Sequence, residues 1–70
     1  MIEMRDLVAR HRHAAGTHEE AASRHEQAAS YWESKGESER AEFERRNAKI
    51  EHDAAQLEHD RAEFEAANAG

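Results

Sequence analysis

Two seven-residue repeats that are out of phase with each other, with a glycine at the slip, point to a chain that folds as two helices. Aligned in sevens from Met4, the first half reads MRDLVAR, HRHAAGT, HEEAASR, HEQAASY and WESKGES. One position holds Met4, His11, His18, His25 and Trp32, and three and four residues further on come Leu7-Val8, Ala14-Ala15, Ala21-Ala22 and Ala28-Ala29. Residues three, four and seven apart share one face of an α-helix, so the histidine file and the alanine pairs form one broad stripe. The second half reads RAEFERR, NAKIEHD, AAQLEHD and RAEFEAA. It sets Phe43, Ile50, Leu57 and Phe64 in one file, and Ala41, Ala48, Ala55 and Ala62 in another on nearly the opposite side. Glu44, Glu51, Glu58 and Glu65 follow the large residues.

Carrying the first phase forward misses Phe43 and Ile50 by one residue, and the slip falls at Lys35-Gly36-Glu37-Ser38. Lys35 suits a helix C-terminus, Gly36 the left-handed position that ends helices, and Ser38 an N-cap. The expected fold is therefore all-α: an antiparallel αα-hairpin forming one unit over 1–70, with helices over 2–35 and 38–68 and a turn at about 36–37. The alternative is one continuous helix with a skip residue, a rod of about 100 Å, because a helical glycine costs only ~1 kcal/mol.

Folding back about Gly36 predicts that Phe43, Ile50, Leu57 and Phe64 pack against Ala28, Ala21, Ala14 and Leu7 with their neighbours, large against small. Trp32 would meet Arg40 at the tip, with Tyr31 beside it as a candidate partner anchor. His25, His18 and His11 would fill the layers between, opposite Asn47, Ala54 and Arg61, and Arg10 and Arg24 would reach Asp60 and Asp53. The Ala41, Ala48, Ala55, Ala62 file is then left over for another close-packed helix.

Chains of this size seldom reach more than about 3–5 kcal/mol of stability from one core, and here fifteen of the hydrophobic residues are alanine. Without cysteine no disulfide can compensate. Association is the remaining remedy, so a homodimer forming a four-helix bundle is expected, with a different helical protein as the other class of partner.

The formal charge of −6 argues against nucleic acid, whose affinity comes from Lys and Arg displacing counterions. The sequence lacks an apolar run of the ~18 residues that span a membrane, and its first residues, with Glu3 and Asp6, do not read as a secretory signal. A cytoplasmic setting is the expectation.

Histidines seven apart on a helix are separated by roughly 10 Å, too far to share a metal ion. His11, His18 and His25 are instead candidate pH sensors, since histidine titrates near neutrality. In the competing view they are half-buried polar spacers that set register. His52 and His59 are expected to face solvent. No nucleophilic motif, phosphate loop or cofactor signature is present. Trp32, Gly36 and Ala41, with Tyr31, resemble the turn of a tetratricopeptide repeat over roughly twenty residues. Arg45 stands where that unit has an aromatic, and a single unit does not make a solenoid, so the resemblance implies no function. The functional expectation is a non-enzymatic helical interaction and oligomerisation module, an adaptor or regulator. The rival is a histidine-based sensor of pH or metal.

Overall fold

The computed structural model of the chain describes residues 3–68 and contains two helices, α1 (Met4–Ser34) and α2 (Ser38–Asn68), packed antiparallel. Position 2, the expected start of the first helix, lies outside the described residues. The molecule measures 53 × 14 × 13 Å, which excludes the extended rod.

The reversal is made by the backbone alone. Trp32 C=O accepts the N–H of Glu37, and Glu33 C=O accepts that of Gly36, at 2.9 and 3.0 Å. These two bonds are a Schellman motif, which satisfies carbonyls that the end of α1 would otherwise leave unpaired. Gly36 sits at φ 74°, the left-handed region that a Cβ disfavours. Lys35 is the capping residue itself, so α1 ends one residue earlier than expected. The expected Ser38 cap is also displaced by one. Ala41 donates to Glu37 C=O at 3.0 Å, which makes Ser38 the first helical residue.

Two glycines give opposite predictions. A Cβ at either Gly16 or Gly36 would meet nothing within 4 Å, so only backbone preference decides the outcome. Gly36→Ala should cost about 1–2 kcal/mol, because alanine resists the left-handed turn. Gly16→Ala, inside α1, should gain up to about 1 kcal/mol. Paired thermal melts of the two variants check this, and shifts of the same sign would contradict it.

The packing reverses the expected roles of the two α2 files. The seam is made by Val8, Ala15, Ala22 and Ala29 from α1 against Ala41, Ala48, Ala55 and Ala62 from α2; the seven alanines are at most 4% exposed. Phe43, Ile50, Leu57 and Phe64, expected to lie opposite the alanine pairs, are instead 61, 63, 50 and 64% exposed. Leu7, Ala14, Ala21, Ala28 and Trp32 are half-buried at the margin of the seam. Alanine against alanine lets helix axes approach at the short end of the usual 8–10 Å range. Large side chains between the helices would hold them further apart and pull the flanking polar groups out of reach of one another. Each buried methyl contributes only about 0.8 kcal/mol, so this narrow seam leaves the polar flanks a substantial share of the specificity.

Candidate functional site

Those flanks are occupied by histidine–glutamate pairs that cross from one helix to the other. On one side, Nδ1–H of His11, His18 and His25 donates to Oε2 of Glu58, Glu51 and Glu44, at 2.6, 2.6 and 2.7 Å. On the other, Nε2–H of His52 donates to Glu26 and that of His59 to Glu19, at 2.7 and 2.8 Å. The seven-residue spacing makes the array possible. His11, His18 and His25 ascend α1 with the same period as Glu58, Glu51 and Glu44 descend α2, so one correct pairing aligns the rest. His52 and His59, expected to face solvent, are thus also interhelical, though about half exposed.

The expected layers of His25 with Asn47, His18 with Ala54 and His11 with Arg61 give way to this pairing. Asp53 is held by Lys49 at 3.0 Å, and Asp60 accepts from Gln56 at 3.0 Å, both within α2, in place of the expected arginines 24 and 10. Sequence reasoning did not assign the five glutamates as partners. The signal was present in the equal periods of the two files, but only the correct seam brings them face to face.

Glu58 is the array's most constrained carboxylate. The His11 hydrogen bond holds its pKa below the ordinary value, Arg61 adds to that, and burial opposes both. A depressed carboxyl contributes stability that is fully present above the unfolded value of about 4.3 and is lost as pH falls through the folded one. The stability difference between wild type and Glu58→Gln should therefore shrink on acidification from pH 5 to pH 3. A difference constant across that window in urea melts would show that the pair does not couple to folding.

At the tip, the Arg40 guanidinium lies 4.9 Å over the Trp32 ring, the expected partnership, and Tyr31 meets Trp32 edge to face. Arg45 pairs with Glu33 nearby. An open groove beside the seam is lined by Glu26, Ala29, Ser30, Arg45, Ala48, Lys49 and His52. Among the described residues, no three histidine or carboxylate side chains gather where they could hold a metal ion. No helix there is long and apolar enough to cross a membrane.

The second feature is the outer face of α2. Phe43 follows Ala41 by two residues, which places it about 160° round the helix from the buried file. Phe43, Ile50, Leu57 and Phe64 thus form an outward stripe about 31 Å long. No family model matches the sequence, and no curated protein or solved structure is significantly similar to it.

Proposed function

We propose that the hairpin is a non-enzymatic association module that binds a second copy of itself through the outer face of α2, serving as an adaptor or regulator. One observation supports this reading above others: the four largest aliphatic and aromatic side chains of α2 all point to solvent, in one file at seven-residue intervals. Large apolar side chains aligned on one exposed face mark interaction surfaces, because leaving them wet is unfavourable. The seven-residue spacing is a coiled-coil repeat with one of its two seam positions apolar, and closed two-fold dimers are the commonest assembly of soluble chains. The alanine file, expected to serve this role, is already used inside the hairpin.

Sedimentation equilibrium tests the reading. Wild-type protein should have twice the chain mass, and the double variant Ile50→Ser, Leu57→Ser should be monomeric while keeping its helical circular dichroism. A wild type that stays monomeric at hundreds of micromolar would remove the proposal.

A second reading is favoured by the five interhelical histidine–glutamate pairs. Protonating an imidazole turns its hydrogen bond to a carboxylate into an ion pair, so the array would couple helix pairing to pH. Replacing His11, His18, His25, His52 and His59 by Gln tests it. A melting profile between pH 5 and 8 that keeps its shape without the imidazoles would eliminate this reading.

A further inference from the structure

Building on the proposed self-association, we infer that the two copies of α2 meet antiparallel about a two-fold axis between Ile50 and Leu57, with Arg46 of each opposite Asp60 of the other. The four helices then form a row, with the two α2 helices in the middle, rather than a square bundle, because the stripe lies nearly opposite the face that α1 covers.

The orientation follows from the charges on either flank of the stripe. One flank carries Arg46, Asp53 and Asp60, each three residues past a stripe residue and so beside it on the helix surface. The other carries Asn47, Ala54 and Arg61 and, further round, Glu44, Glu51 and Glu58, whose carboxylates are turned away to histidines of α1 and so add little in either orientation. In an antiparallel pair, like flanks face each other. Arg46 then meets Asp60 of the second copy, and Asp60 meets its Arg46, two attractive pairs related by the axis. Asp53 meets its own copy on the axis, where Lys49, 3.0 Å from it, offsets the repulsion. The stripe is also matched end to end: Phe43 reaches Phe64, and Ile50 reaches Leu57.

A parallel pair is worse on the same positions. It sets unlike flanks against each other, displaced by five residues. Arg46 would face Glu51 and Asp53 would face Glu58 of the second copy, carboxylates already turned to α1, and Asp60 would face Glu65, which leaves one repulsion on each side and no free partner for Arg46. The Arg46 guanidinium already lies along the stripe, 5.7 Å over the Phe43 ring, where it needs little rearrangement to reach across.

Charge reversal separates the orientations. Asp60→Arg places two arginines together in the antiparallel dimer and should weaken its Kd roughly tenfold, two exposed pairs being altered at once. In a parallel dimer the same change sets Arg against Glu65 and should tighten binding. Arg46→Asp weakens either arrangement, but adding Asp60→Arg to it restores the antiparallel pairs and should return Kd to near the wild-type value. Dissociation constants from sedimentation of the four proteins read this directly. A wild-type dimer that Asp60→Arg tightens or leaves unchanged would overturn the antiparallel arrangement alone. A monomeric wild type would fail the self-association reading on which it rests.

Discussion

Ala48→Trp is expected to unfold the hairpin, whereas Ile50→Trp, two residues further on, should leave it folded. Ala48 is 4% exposed in the middle of the seam, with alanines of α1 packed against its face of α2. An indole cannot be seated there unless the helix axes separate. Overpacking alone costs about 1–3 kcal/mol and occasionally more. Separation would also break the His18–Glu51 and His25–Glu44 bonds, which need close approach. Against a total of about 3–5 kcal/mol for a domain of this size, the combined loss removes most of the folded population. Ile50 is 63% exposed, so a larger side chain there meets solvent. For the same reason Ile50→Ala should change the intrinsic stability of the hairpin by no more than about 0.5 kcal/mol, not by the several that a core isoleucine would cost. Helical circular dichroism at 25 °C provides the comparison. Equal melts for Ala48→Trp and wild type would mean that the alanine files are not the seam.

The second large effect is a melting temperature that depends on protein concentration. A partner that binds only the folded chain adds about 2.7 kcal/mol when present at a hundred times its Kd. For a domain of 60–100 residues, 1 kcal/mol moves Tm by about 4–8 °C. Raising the concentration from near Kd to a hundredfold above it should thus raise Tm by roughly 10–20 °C. The double variant Ile50→Ser, Leu57→Ser should show the low-concentration midpoint at every dilution. A wild-type midpoint that ignores dilution over two decades would leave the outer stripe without a role in association.

The helices, their lengths and the turn were legible in the sequence because their causes are local. Alanine, glutamate and arginine favour helix wherever they stand, and Gly36 ends one through its own backbone freedom. The periodicity also showed that α2 has two useful faces, the alanine file and the large apolar file. It could not say which one α1 would take. Volume complementarity favoured the large file, since Phe43 or Ile50 against an alanine pair fills space well. That argument scores two facing stripes alone and omits the residues beside them.

The sequence by itself determined two antiparallel helices, a reversal at Gly36, and seven-residue files of histidine, alanine, glutamate and large apolar residues. The tertiary structure decided which files face inward. The contest is between burying four large side chains at wide axial spacing and burying small ones at close spacing with five interhelical hydrogen bonds aligned. Its outcome depends on the distance between two helices. That distance is a property of neither helix alone, because a histidine and a glutamate up to 47 positions apart in the chain contribute only when the axes are close enough for their short side chains to meet.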